Sequence, residues 1–240
     1  AMTTRLDEQH LLFDADDTLW ENNVHFERAF EAFVAYLRHE HLSAVEIRAL
    51  FDEVERATIT THGYGARGFA HSLRETFQRI TGSRDEEQLR SVEAFGLRIL
   101  ELEIELIAGV RDTLEALRPR HDLFLITKGQ HDEQLRKIER SGIADLFDAT
   151  LITDEKHTET YRQAIDVLGL APDRTWMIGN SPRSDILPAL EAGINAVFIP
   201  HEMTWHLEHT EIRHNPAWKG RLVEVPAFAG LRDLFRADDT

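Results

Sequence analysis

Three carboxylates lie within four positions of one another in the segment LLFDADDTLW, residues 11–20, directly after a short apolar run. Asp14, Asp16 and Asp17 would repel one another at this spacing unless a cation neutralised them. Oxygen ligands without cysteine or histidine suit a hard divalent ion such as Mg²⁺. The segment therefore predicts an anionic socket for Mg²⁺ where a strand ends.

Polar side chains also follow three later strand-like runs of the chain. These are Thr127 with Lys128, residues 154–156, and residues 180–185. Because ligands of open parallel sheets bind at the carboxyl ends of the strands, we expect all of these groups at one edge. Asp14 and Asp185 could hold the ion there. Lys156 and the hydroxyl of Thr127 would then flank an anion bound to the metal.

The elements that must position these residues are strands alternating with helices. Five short runs are apolar almost throughout, as strands buried on both faces of a parallel sheet are: Leu11–Asp14, Leu123–Thr127, Thr150–Thr153, Thr175–Gly179 and Ala196–Pro200. Helical periodicity marks Glu133–Ser141, His157–Leu168 and Asp185–Ala192 between the later runs. This alternation predicts an α/β fold with a doubly wound, Rossmann-like parallel sheet.

Residues 22–107 interrupt that alternation with helical patterns and offer no convincing strand. Ser43 with Glu46, and Ser83 with Glu86, have the spacing of capping boxes at helix starts. The glycine-rich stretch HGYGARGF, residues 62–69, predicts a turn between two of the helices. We therefore expect a core domain of residues 1–21 and 108–240, with an inserted helical domain of residues 22–107.

Composition excludes several classes of function. The formal net charge of −16, from 43 acids against 27 bases, disfavours nucleic acid as a partner. The sequence has no cysteine, which excludes disulfides and thiolate chemistry. The sequence has no run of about 18 apolar residues that could span a membrane, and no signal peptide is evident. We expect a cytoplasmic protein without a membrane partner, and its oligomeric state stays open.

The motifs together resemble those of one enzyme superfamily. DADDTLW is similar to the DxDx[TV] motif of the haloacid dehalogenase-like (HAD) hydrolases. ITKG with Thr127, Lys156 ahead of Tyr161, and GNSPRSD ending at Asp185 follow in the order of that family. The resemblance covers residues 11 to about 200. It implies that the helical insertion is a mobile cap, and that the protein is a Mg²⁺-dependent phosphatase of a small phosphorylated metabolite.

The resemblance also implies a role for each matching residue. Asp14 would attack phosphorus and form an aspartyl-phosphate, and Asp16 would protonate the leaving group and later deprotonate water. Thr127 and Lys156 would bind the phosphoryl oxygens. Asp185 would bind Mg²⁺ together with Asp14 and the main-chain carbonyl of Asp16.

Other residues receive weaker assignments or none. Lys128 is a second candidate cation for the phosphate, and Tyr64 and Arg67 of the glycine-rich stretch are candidate substrate contacts. Asp17 receives no role. The histidines at 201, 206, 209 and 214 lack the spacing of a zinc motif, which predicts a solvated segment.

Two positions depart from the family pattern, and several alternatives stay open. Asn180 replaces the acid that often follows the fourth-motif glycine, and His157 replaces the proline that commonly follows the lysine. A phosphomutase would use the same chemistry, whereas a 2-haloacid dehalogenase would need neither the acid of Asp16 nor a metal. A receiver domain would be about half as long, and a catalytically silent phospho-ligand-binding protein would not need Asp14 and Asp16.

Overall fold

A computed structural model of the chain describes residues 4–38 and 41–238. Its sheet has six strands: β1 His10–Phe13, β2 Asp122–Lys128, β3 Ala149–Thr153, β4 Thr175–Gly179, β5 Asn195–Phe198 and β6 Leu222–Glu224. The α-helices are α1 Asn23–Leu37, α2 Ala44–His62, α3 Ala66–Thr81, α4 Glu86–Leu97, α5 Val110–Leu117, α6 His131–Arg140, α7 Thr158–Leu168, α8 Leu187–Glu191 and α9 Leu231–Leu234.

All neighbouring strands of the sheet are parallel, in the order β3-β2-β1-β4-β5-β6. Both faces are covered: Leu11 and Phe13 of β1 belong to one buried cluster, and Leu12 between them belongs to another. A period of two along the strand sends alternate side chains to opposite faces, which explains why the whole run is apolar. The predicted doubly wound α/β fold is confirmed.

The chain divides into two compact units. The first comprises Ala1–Glu21 and Ile104–Thr240, and the second comprises Asn22–Glu103. The sequence analysis placed the second boundary at residue 107, four residues later. Backbone pairing accounts for this difference, because the Ile107 N–H donates to the Leu19 carbonyl at 2.9 Å and Leu106 bridges to Trp20. Residues 104–107 are therefore tied to the first unit.

The second unit consists of α1 to α4 and a 3₁₀ turn, Arg98–Glu101. Its buried cluster contains the predicted apolar stripes, including Phe33, Phe51 and Leu73. The capping box of Ser43 and Glu46 is confirmed at the start of α2.

The predicted box of Ser83 and Glu86 is wrong. Asp85 caps α4 instead by accepting from the N–H groups of Glu87 and Gln88, while Ser83 Oγ accepts from the Asp85 N–H. An aspartate one residue before the helix reaches its first free N–H groups directly, so it supplies the cap in place of the serine.

Three further details differ from the sequence analysis. The edge strand β6 was not predicted, because it has only three residues and is largely exposed, so it lacks an apolar run. The short helices α5 and α9 were not predicted either. Asp185 lies in a π-helical turn, Pro182–Ile186, that precedes α8 rather than in the helix itself.

Within residues 4–38 and 41–238, no helix has the length and apolarity needed to cross a membrane.

Candidate active site

Asp14 is the first residue after β1, and its carboxylate is held on both oxygens. Its N–H donates to the Ile178 carbonyl of β4 at 3.0 Å, so the backbone is still paired at this point. Oδ1 accepts from Lys156 Nζ at 2.7 Å, and Oδ2 accepts from Thr18 Oγ1 at 2.9 Å. Thr18 is the threonine of the DADDT motif. The buried carboxylate is thus fixed in orientation at the carboxyl edge of the sheet.

Asp185 reaches the same ammonium from the turn after β4. Lys156 Nζ donates to Asp185 Oδ1 at 2.8 Å, and Asp185 Oδ2 accepts from the Ser181 N–H at 3.0 Å. Asp185 lies in the π-helical turn Pro182–Ile186, and its side chain lies against Gly179 of β4. A Cβ on Gly179 would lie 2.1 Å from Asp185 Oδ2, so only glycine leaves room for this carboxylate.

The pocket of Asp14, Asp185 and Lys156 holds two carboxylates and one ammonium, all buried. Burial, reinforced by the charge of Asp185, raises the pKa of Asp14 to about 7, although Lys156 acts in the opposite direction. Burial opposes the charge of Lys156 too, but the two carboxylates outweigh it and raise the pKa of Lys156 well above its ordinary value. Negative charge therefore exceeds positive charge here, and every donor atom of the acids is oxygen. A hard divalent cation fits such a donor set.

Asp16 points to a different group of residues. Its Oδ1 accepts from Lys137 Nζ at 2.8 Å and from Trp20 Nε1 at 2.9 Å, and its Oδ2 accepts from Gln134 Nε2 at 3.1 Å. Burial favours the neutral acid, but the charge and hydrogen bond of Lys137 outweigh it and lower the pKa of Asp16. Asp14 and Asp16 thus have opposite electrostatic environments although they are two residues apart.

Gln134 links Asp16 to the end of β2. Its Nε2 lies 2.7 Å from Thr127 Oγ1 and 3.2 Å from the Lys128 carbonyl, in addition to the contact with Asp16. Gln134 and Lys137 lie three positions apart on α6, which places them on one face of the helix. The sequence analysis missed both residues. Their spacing on the helix that follows the second motif was the signal that could have found them.

Lys128 lies at the end of β2, and its ammonium contacts two acids and a serine. Its Nζ is 2.6 Å from Glu208 Oε1, 3.3 Å from Glu155 Oε1 and 2.9 Å from Ser184 Oγ. Its predicted contact with a phosphate stays a prediction, and would require the ammonium to turn away from Glu208.

Residues 201–214 differ in part from the predicted solvated segment. His206, His209 and His214 are exposed, but Thr204 and Glu208 are buried. Glu208 Oε2 accepts from Ser181 Oγ and from Ser184 Oγ, each at 2.5 Å. Burial would raise the pKa of Glu208, but Lys128 and the two serine hydroxyls outweigh it and lower that pKa. No pattern in the sequence pointed to Glu208, because its partners lie more than 20 residues away.

Asp17, which received no catalytic role, shapes the turn after Asp16. Its φ of 62° lies in the left-handed region that aspartate tolerates, and its N–H donates to the Trp20 carbonyl at 2.8 Å. Asp17, Glu21 and His201 form a group that could hold a metal ion. However, His201 Nδ1 accepts from the Met203 N–H at 3.0 Å, so Nε2 carries the proton and donates to Glu21 at 2.9 Å. In the structure, His201 and Glu21 therefore form a hydrogen-bonded pair, and Asp17 lies beside them in the turn.

Tyr64 and Arg67 belong to the second unit, whereas the other predicted site residues belong to the first. Tyr64 lies in the turn between α2 and α3, and Arg67 lies exposed in the first turn of α3. Gly63 and Gly65 on either side of Tyr64 have positive φ, which explains the glycine-rich sequence of this turn. Their role as substrate contacts stays a prediction.

A doubly wound parallel sheet with an aspartate pair after its first strand, a lysine after β3 and a further aspartate after β4 defines an α/β protein with a carboxylate-rich site at one edge of the sheet. Residues 9–193 match the family described as haloacid dehalogenase-like hydrolase. The chain belongs to this family. A solved haloacid dehalogenase-like family hydrolase from Xanthomonas campestris is 31% identical, with a TM-score of 0.76, over 93% of this chain and 92% of that one.

Two curated relatives carry names of phosphatases. Phosphoserine phosphatase of Thermus thermophilus is 33% identical over 90 residues, which are 35% of this chain and 36% of that protein. N-acylneuraminate-9-phosphatase of Mus musculus is 30% identical over 128 residues, which are 51% of this chain and 52% of that protein. The chain thus spans about a third to a half of the length of these relatives.

Proposed function

We propose that the protein is a Mg²⁺-dependent phosphomonoester hydrolase that works through an aspartyl-phosphate on Asp14 and acts on a small phosphorylated metabolite. The observation that carries this proposal is the buried carboxylate of Asp14, fixed by Thr18 and Lys156, beside a second acid in a contrasting environment, Asp16. The names of the two phosphatases support the choice of a phosphate ester.

Asp14 is the proposed nucleophile. One of its oxygens attacks phosphorus, and the bond from phosphorus to the alcohol oxygen breaks. A carboxylate is a weak nucleophile, so most of the rate must come from its fixed orientation and from neutralisation of the phosphoryl oxygens. Lys156 supplies one positive charge for this purpose, and Thr127 supplies a hydroxyl at the end of β2. Mg²⁺ held by Asp14, Asp185 and the Asp16 carbonyl would supply the remaining neutralisation.

Asp16 is the proposed acid and base. Its lowered pKa suits the second step, in which the carboxylate takes a proton from water while the water oxygen attacks phosphorus and frees Asp14. In the first step it must donate a proton to the leaving alkoxide. A phosphate dianion beside Asp16 would raise its pKa, so substrate binding itself favours the protonated acid.

Asp16 and Asp185 also separate this proposal from a dehalogenase. A halide leaves without protonation and without a metal, whereas an alkoxide needs the proton that Asp16 can supply. We further propose that residues 22–103 act as the cap, with Tyr64 and Arg67 as substrate contacts. The cap would then select the ester.

The test is a screen of phosphorylated metabolites and of 2-haloacids, with Mg²⁺ and with a chelator. We expect Mg²⁺-dependent release of phosphate by the native protein, loss of turnover in Asp14→Asn, and a circular dichroism spectrum for that variant like that of the native protein. Full activity of Asp14→Asn, or turnover that the chelator does not diminish, would overturn the proposal. Metal-independent release of halide would favour the dehalogenase instead.

A further inference from the structure

A short segment outside the four motifs is fastened to the loop that carries Asp185. We name residues 204–208 the TWHLE segment, after their sequence. Thr204 Oγ1 accepts from Asn180 Nδ2 at 2.8 Å, and the Leu207 carbonyl accepts from Arg183 Nη1 at 3.1 Å. Glu208 accepts from the two serine hydroxyls of the same loop. Three separate residues of the segment thus hold the fourth-motif loop.

Glu208 is linked to the Asp185 carboxylate by hydrogen bonds through a single residue, Ser181. Ser181 Oγ donates to Glu208, and the Ser181 N–H donates to Asp185 Oδ2 at 3.0 Å. The Ser184 N–H in turn donates to Ser181 Oγ at 2.9 Å, which closes the loop on itself. A shift of Ser181 would therefore move the hydrogen bond that orients Asp185.

The same segment orients Asn180, the residue that replaces the acid of the family pattern. Because the Asn180 amide donates to Thr204, its Oδ1 faces Thr18 Oγ1, at 3.3 Å. Thr18 is the residue that holds Asp14 Oδ2. Hydrogen bonds of the TWHLE segment therefore lead to Asp185 through Ser181, and the segment also holds Asn180 beside Thr18, the residue that donates to Asp14.

We propose that Glu208 is a positioning residue for Asp185, and that the TWHLE segment fixes the geometry of the metal site from outside the four motifs. The inference rests on the proposed function in one respect, namely that Asp185 binds the metal. A buried carboxylate adds little to stability compared with a well-packed apolar residue of similar size. Both serine hydroxyls of the fourth-motif loop donate to Glu208, and these contacts indicate a positioning role for its carboxylate.

The ion pair with Lys128 does not by itself account for Glu208. Lys128 has Glu155 as a second acidic partner, at 3.3 Å. The serine contacts of Glu208 use Oε2, whereas Lys128 uses Oε1. One carboxylate oxygen of Glu208 is thus committed to the fourth-motif loop, which Lys128 also contacts through Ser184 Oγ at 2.9 Å.

The experiment measures binding of Mn²⁺ alone, followed through the electron paramagnetic resonance signal of the free ion. Mn²⁺ takes the same oxygen ligands as Mg²⁺. Asp185→Asn identifies the binding that belongs to this pocket. The test variant is Glu208→Gln, and the matched control is Glu211→Gln, because Glu211 lies on the same stretch of chain with its side chain 70% exposed. Thermal unfolding of each variant reports whether the fold is retained.

We expect Glu208→Gln to raise the Kd for Mn²⁺ about tenfold or more, as removal of an outer partner of a metal ligand does, and Glu211→Gln to leave it unchanged. The double variant Ser181→Ala with Ser184→Ala should weaken binding similarly, and adding Glu208→Gln to it should weaken binding no further. If Glu208→Gln does not fold, the serine double variant decides the test in its place.

An unchanged Kd in a folded Glu208→Gln, or in the serine double variant, would overturn the inference. Fully additive losses would overturn it too, because Glu208 would then not act through the serines. If instead Asp185→Asn binds Mn²⁺ as the native protein does, the metal assignment of the proposed function fails. The two failures are therefore distinguishable.

Discussion

Substitution of Gly179 by alanine is expected to dislodge Asp185. An added methyl carbon would lie 2.1 Å from Asp185 Oδ2, 2.5 Å from Cγ and 2.8 Å from Cβ. Carbon atoms in good contact lie roughly 3.5–4.0 Å apart, so either the carboxylate or β4 must move by about 1 Å. β4 is paired on both sides and fully buried, whereas Asp185 is a side chain. We expect the carboxylate to yield.

Two costs follow from that displacement. Overpacking a tight interior costs about 1–3 kcal/mol of the free energy of unfolding. Asp185 would also leave the Ser181 N–H and Lys156 Nζ, which it meets at 3.0 and 2.8 Å. If Asp185 binds the metal, a misplacement of this size should weaken Mn²⁺ binding about tenfold or more, since functional side chains must be held within about 0.5 Å.

Urea unfolding and the Mn²⁺ titration measure the two effects on one preparation. Gly230→Ala is the matched control, because its added carbon would meet nothing closer than Val225 Cβ at 3.5 Å and its φ of −64° suits alanine. We expect that control to keep native stability and metal affinity. If Gly179→Ala loses stability but binds Mn²⁺ normally, the close approach serves packing only and Asp185 is not the ligand.

Three further outcomes are expected. Asp14→Asn should raise the free energy of unfolding at pH 8 without metal, with an upper limit of about 4 kcal/mol, because the native folded state must ionise a carboxyl of pKa about 7 that ionises near 3.8 when unfolded. This gain grows between pH 4 and 7 and is absent below that range, and urea unfolding at pH 4 and 8 tests it; equal stability at pH 8 would refute it. Lys137→Met should move the acid limb of the kcat–pH profile for a phosphate ester to higher pH, because the charge of Lys137 lowers the pKa of the proposed base Asp16; an unmoved acid limb would contradict this influence of Lys137 on Asp16. Asp85→Ala should cost about 1 kcal/mol of stability and Ser83→Ala less, since Asp85 caps α4; the reverse order in thermal unfolding would contradict the cap.

The sheet and the residues at its strand ends could be predicted from the sequence because both are local patterns. A strand buried on two faces must be apolar at every position, as Leu11, Leu12 and Phe13 are, and such a run is visible without the fold. Parallel strands end at a common edge, so polar residues that follow them must converge. Direct contact of Lys156 with both Asp14 and Asp185 agrees with that expectation.

The contrast between Asp14 and Asp16 depended on tertiary structure. The sequence predicts two acids after a strand, but it cannot say which one faces Lys156 and which faces Lys137. That choice depends on the turn of residues 15–20, where Asp17 adopts a left-handed conformation and Trp20 Nε1 reaches back to Asp16. An extended backbone would have pointed both carboxylates the same way.

Long-range partners account for the rest of what the sequence analysis missed. In the sequence, Glu208 is one acidic residue in a polar, histidine-rich stretch. Its burial against Ser181 and Ser184 is visible only in the folded structure. The domain boundary at Glu103 rather than 107 likewise depends on the pairing of Leu106 with Trp20. By itself the sequence determined the fold class, the strands of the site and the residues at their ends. The tertiary structure decided which charges meet, because a hydrogen bond between residues far apart in the chain leaves no local periodicity.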